Sequence, residues 1–105
     1  MTINQLINDE TISQKIKDAL ISPVTIADWI NSLEIQIASI LNKSFFIISY
    51  PEGADKNLIL NYNDSNLYKK YLLAMIDFFS GNLDSYKVSA KDFAVDFEIF
   101  KNLCK

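Results

Sequence analysis

Asp92 and Asp96 lie four residues apart, a spacing that puts both carboxylates on one face of a helix and offers the simplest oxygen pair for a divalent cation. A closed metal site asks for more. The chain contains no histidine, and no third helix-borne carboxylate or oxygen-rich loop stands in register with the pair. Nucleophilic chemistry is also short of parts. Serines are plentiful, but none has a histidine to activate it, and Cys104, the single cysteine, sits one residue from the end of the chain with no second thiol. A lysine activated by burial is the one remaining route to a reactive group. The two glycines, Gly53 and Gly81, are twenty-eight residues apart, so there is no Gly-rich phosphate loop. The residue types therefore predict a protein that is not an enzyme and carries no metal and no cofactor.

Charge narrows the partners. Ten basic residues, all lysine, face thirteen acidic ones for a formal net charge of −3. Arginine supplies the bidentate contacts that read phosphate and guanine, and its absence argues against sequence-specific nucleic-acid binding. No run of apolar residues approaches the length of a membrane span, and the first ten residues have no basic stretch ahead of an apolar one, so neither secretion nor membrane insertion is expected. Half of the 105 residues are apolar. A chain of that size and composition should form one hydrophobic core, and any apolar face left over should seek a partner.

Hydrophobic spacing gives the elements. Ile3, Leu6, Ile7, Ile12, Ile16, Ala19 and Leu20 recur at helical intervals, with Asp9-Glu10-Thr11 as a break, and Ser22-Pro23 ends that element and starts the next. Ile26, Ile30, Leu33, Ile37 and Ile40 make a second apolar stripe, with Trp29 near its edge as an inter-helix wedge. After Asn63-Asp64-Ser65, whose side chains suit an N-cap, Leu67, Tyr68, Tyr71, Leu72, Met75, Ile76 and Phe79 form a third helix ending near Gly81. Between the two stripes, Phe45–Tyr50 and Asn57–Tyr62 are β-prone runs around the turn-rich Pro51-Glu52-Gly53-Ala54-Asp55-Lys56, which reads as a hairpin or arm. Alternation places Phe46, Ile48 and Tyr50 on one face of it, and with Leu58 and Leu60 these are expected to meet another surface.

The last segment, from Leu83, has two apolar lines. Leu83, Tyr86, Ala90, Phe93, Phe97, Phe100 and Cys104 follow three-and-four spacing, while Val88, Val95, Ile99 and Leu103 run roughly opposite. One helix cannot bury both lines against a single neighbour. The first is assigned to the core, with Ile30, Leu33, Ile37, Tyr71, Leu72 and Ile76, through Tyr86, Phe93, Phe97 and Phe100; the second, Val88, Val95 and Ile99, is assigned to an interface. The expected fold is mainly α, a single domain with N-terminal helices over residues 1–43, a β-prone arm over 44–63 and a C-terminal helical hairpin over 64–105, about four helices in all.

The block from Tyr62 to Asn82, followed by Tyr86 and Phe93, resembles the C-terminal helical pair of small head-to-tail connector, or adaptor, proteins of tailed bacteriophages infecting low-GC bacteria. The shared positions are Asp64, Tyr71, Leu72, Ala74, Ile76, Asp77, Gly81, Tyr86 and Phe93, and the likeness covers about the last forty residues. The chain departs from that pattern at Asn82-Leu83-Asp84, where the family often has a glutamate after the turn, and in lacking arginine. The resemblance implies a virion structural protein: a ring subunit, typically of about twelve copies, that joins portal to tail or head-closure protein at the virion neck after a period in the host cytoplasm, with the arm reaching a neighbour and DNA passing through without being gripped. Read without the resemblance, the same surfaces suit a small helical binding or regulatory module that closes as a homodimer.

Overall fold

A computed structural model describes residues 1–60 and 66–104. Five helices follow in order: α1 (Ile3–Ile7), α2 (Glu10–Ala19), α3 (Pro23–Leu41), α4 (Asn66–Phe79) and α5 (Leu83–Leu103). The expected break at Asp9-Glu10-Thr11 is real, because the Asp9 carboxylate caps α2 by accepting from the backbone N–H groups of Thr11 and Ile12 at 3.1 and 3.3 Å. Thr2 and Gln5 close α1 with a reciprocal capping box. Ser22 caps α3, accepting from Val24 N–H at 3.1 Å, and Pro23 occupies the first turn, where its missing N–H costs nothing. The Asn63-Asp64-Ser65 cap expected ahead of α4 lies outside the described residues, as does Tyr62.

Helices α2, α3 and α4 end in the same way, with paired six-to-one and five-to-two backbone hydrogen bonds around one left-handed residue. That residue is Leu20 after α2 (φ 56°), Asn42 after α3 (φ 54°) and Gly81 after α4 (φ 74°). Asn and Gly are common in this conformation, whereas leucine is strained there, so α2 is stopped by its surroundings against local preference. Gly81 turns the chain back and sets α5 against α4.

Ile3, Leu6, Ile12, Ile26, Ile30, Leu33, Ile37, Tyr68, Leu72 and Ile76 build the core, all at most 2% exposed. The isoleucine-rich α3 is held helical by this burial, since each fully buried aliphatic side chain contributes roughly 1.5–3 kcal/mol while isoleucine's intrinsic preference for helix is modest. Of the expected core residues, Ile30, Leu33, Ile37, Leu72 and Ile76 are buried; Tyr71, Phe93, Phe97 and Phe100 are half-buried and pack on the core's edge. Tyr86 is half-buried and packs on exposed Phe78, with ring centroids 5.2 Å apart, so it belongs to the periphery. Trp29 is a wedge, edge-on to Phe79 at 5.9 Å.

The expected hairpin does not form: among the described residues there is no β-strand. Residues 44–60 instead run as a strap over the helical body, fixed by side chains and by the N-terminus. The Asn31 carboxamide both donates to the Ile48 carbonyl (2.8 Å) and accepts from its N–H (2.9 Å), doing what a neighbouring strand would do. Glu34 accepts from Ile59 N–H at 2.9 Å, and the Tyr68 hydroxyl accepts from Leu60 N–H at 3.0 Å. Leu58 N–H donates to the Met1 carbonyl, and Asn4 N–H to the Ala54 carbonyl. The intervening turn brings Gly53 so near that a Cβ there would sit 2.9 Å from an Ile48 methyl.

Candidate interaction surface

Helix α5 packs chiefly on α4, and none of its residues is buried. Its attachment is an aromatic ladder. Tyr71 meets Phe93 edge-on at 5.2 Å, Phe93 stacks on Phe97 at 5.3 Å, and Phe97 stacks on Phe100 at 6.2 Å. Such pairs add about 0.5–1.5 kcal/mol each beyond their buried area, which compensates in part for a seam only half covered. Burial beneath this ladder pushes the Tyr71 hydroxyl above its ordinary pKa.

Polar contacts fix the register of α4 and α5. Lys70 reaches from α4 to Asp96 at 2.7 Å and to Asp92 at 3.1 Å, so the carboxylate pair holds a lysine ammonium; Asp96 foremost, then Asp92, hold Lys70 above its usual range. Among the described residues no group of three or more metal-ligating side chains comes together. Lower on the same pair, the Ser89 hydroxyl donates to Asp77 at 2.8 Å, and Lys15 of α2 approaches the other Asp77 oxygen at 3.6 Å.

The line opposite the ladder faces outward. Val88, Val95 and Ile99 are 72%, 51% and 53% exposed, and Leu103 continues them. Depressions adjoin both ends: one near Val88 bounded by Thr11, Lys15, Leu73 and Ser85, the other of about 270 Å³ where Ile99, Phe100 and Leu103 meet Leu60 and Leu67. The line is thus an apolar ridge with hollows beside it, the relief that interlocking protein surfaces use.

The strap supplies less than expected. Phe46 stands out at 83% exposed, and Ile47 is exposed beside it. Ile48 and Tyr50 are half-buried and pack against the core. Leu58 and Leu60, expected at an interface, are 5% and 6% exposed and belong to the core, because Glu34 and the Tyr68 hydroxyl hold this limb of the strap down through the Ile59 and Leu60 N–H groups. Sequence reasoning missed Asn31 and Glu34 and placed Tyr68 on its helix without its hydrogen-bonding role: two polar residues inside an apolar helical stripe were the available signal.

The chain is thus a small all-helical domain with a strapped core and a C-terminal helix packed chiefly on α4. Among the described residues no helix is long and apolar enough to cross a membrane. Comparison with known protein families, with curated proteins and with solved structures finds no match.

Proposed function

We propose that the chain is a structural assembly protein, a head-tail connector subunit whose copies form a ring between a bacteriophage portal and its tail. The observation that carries the reading is the apolar line Val88, Val95, Ile99 and Leu103 on a helix that the rest of the chain grips from one side only. Exposed apolar side chains in a row cost solubility unless a partner covers them. The resemblance of residues 62–93 to connector proteins supplies the kind of partner. A net-negative ring lets DNA through without phosphate contacts holding it. In this reading the exposed strap residues Phe46 and Ile47 meet a neighbouring subunit or the portal, while Leu58 and Leu60 stay in the core.

A second reading has one observation in its favour. Val88 and Val95 are seven residues apart and Ile99 follows at four, the spacing of a two-helix seam, so the same line can close a homodimer. The two differ in stopping point: an isologous pair ends at two chains, a heterologous contact continues to ring closure. The test is Val95→Asp and Ile99→Asp. Both variants keep their helical circular dichroism and lose assembly with portal; global unfolding of both would move the line into the subunit's own core.

A further inference from the structure

Glu34 is 2% exposed, on a helix whose other inward side chains are almost all apolar, and among the described residues no lysine pairs with it. Its two oxygens accept from the Tyr68 hydroxyl and from Ile59 N–H. Both donors are neutral, so among the described residues two hydrogen bonds, and no ion pair, hold the buried carboxyl. Burial pushes its carboxyl above the ordinary range, and the two hydrogen bonds only oppose that shift. The same residue lines a cleft of about 280 Å³ between the two limbs of the strap, walled by Phe45, Phe46, Ile48 and Ile59, with Lys56 among its lining residues. Phe46 is largely exposed and Phe45 half-buried.

The geometry points to this cleft as a binding site for a primary ammonium group on an aliphatic stem, with Glu34 as counter-ion, Ile48 and Ile59 against the stem and the Phe45 and Phe46 rings at the mouth. Each carboxylate oxygen keeps one acceptor direction after its existing bond. An ammonium needs only one such direction. A guanidinium held side-on needs the remaining directions of both oxygens at once and parallel to each other, so an ammonium is the less demanding fit. The volume falls just below the ~300–1,000 Å³ typical of drug-sized ligands and suits a single side chain or a small alkylamine. Aromatic rings at the mouth attract a cation by a further ~0.5–1 kcal/mol at an exposed position. Lys56, lining the same cleft, competes by like charge. The inference does not depend on the assembly reading, since it concerns the isolated chain.

The test is an NMR titration of the full chain with n-butylammonium chloride, reading the Ile59 amide and the Glu34 carboxyl carbon, with sodium chloride and guanidinium chloride at matched concentration. The expected result is a saturable shift at both nuclei, with guanidinium binding at least about fivefold more weakly. Glu34→Gln weakens the amine about tenfold or more. Because that variant also disturbs a buried hydrogen-bond set, two exposed positions carry the decision if it misfolds: Phe46→Ala lowers affinity about two- to fivefold, and Lys56→Met raises it by a similar factor. Nα-acetyl-lysine methylamide and putrescine separate the sources: tighter binding of the capped lysine assigns a partner protein's side chain, tighter binding of the diamine a free amine. Shifts that stay linear with concentration and spread over surface carboxylates, or affinity unchanged in both Phe46→Ala and Lys56→Met, overturn the site.

Discussion

Tyr68→Phe removes one oxygen and leaves the ring, so its effect isolates the polar clip that holds the strap. Tyr68 is wholly buried, and its hydroxyl donates to Glu34 and accepts from Leu60 N–H at 3.0 Å. Without it, a buried amide loses its acceptor, at about 1–3 kcal/mol, and a buried carboxylate loses one of two donors, at about 1.5–3 kcal/mol. The sum is about 2.5–6 kcal/mol, a large share of the ~5–15 kcal/mol that stabilises a domain of this size. With a urea dependence of about 1–2 kcal/mol per molar, the midpoint followed by circular dichroism at 222 nm should fall by at least about 1 M. Most of the loss should appear as release of residues 57–60, read by faster amide exchange at Ile59 and Leu60. A midpoint shift below about 0.5 M, with both amides still protected, would refute the clip as the strap's anchor.

Glu34 makes the pH dependence run opposite to the common carboxylate case. Its folded pKa is raised, chiefly by burial, so its contribution is fully present below the unfolded value near 4.5 and is lost as pH rises through the folded value. Glu34→Gln should remove that loss, so that the gap between variant and wild-type stability narrows as pH rises above 4.5; a gap independent of pH contradicts the shift. Leu20→Gly should raise stability by roughly 0.5–1 kcal/mol in urea titration, because the left-handed conformation at φ 56° is strained for leucine and its side chain, 90% exposed, has little contact to lose; a drop of 1 kcal/mol or more would show that Leu20 packs. Phe97→Ala should cost about 2–3 kcal/mol, below the ~3–5 of a fully buried phenylalanine, since the ring is half-buried between Phe93 and Phe100; an unchanged midpoint would contradict its place in the ladder.

Helices were legible because their signals are local. Asp9, Ser22-Pro23 and Gly81 mark ends within a few residues of the apolar repeats they bound, and Ile26 through Ile37 can bury only as a helix. The strap was not legible for the opposite reason. The runs around Ile48 and Ile59 have strand-like composition, yet the groups that complete their backbone bonds are Asn31, seventeen residues before Ile48, and Glu34, twenty-five before Ile59. No local pattern reports a side chain standing in for a strand. Leu58 and Leu60 alternate as a strand face does, but what they meet is the core, because Glu34 and Tyr68 hold the Ile59 and Leu60 amides against the helical body. The two-sided pattern of α5 was readable from residue spacing alone, whereas the shallow burial of Phe93, Phe97 and Phe100 depended on how few elements reach that helix.

The most direct test of the assembly reading is native mass spectrometry of the protein across a concentration series, alone and then with a purified phage portal, with Val95→Asp alongside. Portal-dependent uptake of many copies by the native sequence, lost in Val95→Asp, is the expected result. A sharp dimer at every concentration with no portal uptake would contradict the connector reading and make Val88, Val95 and Ile99 a homodimer seam.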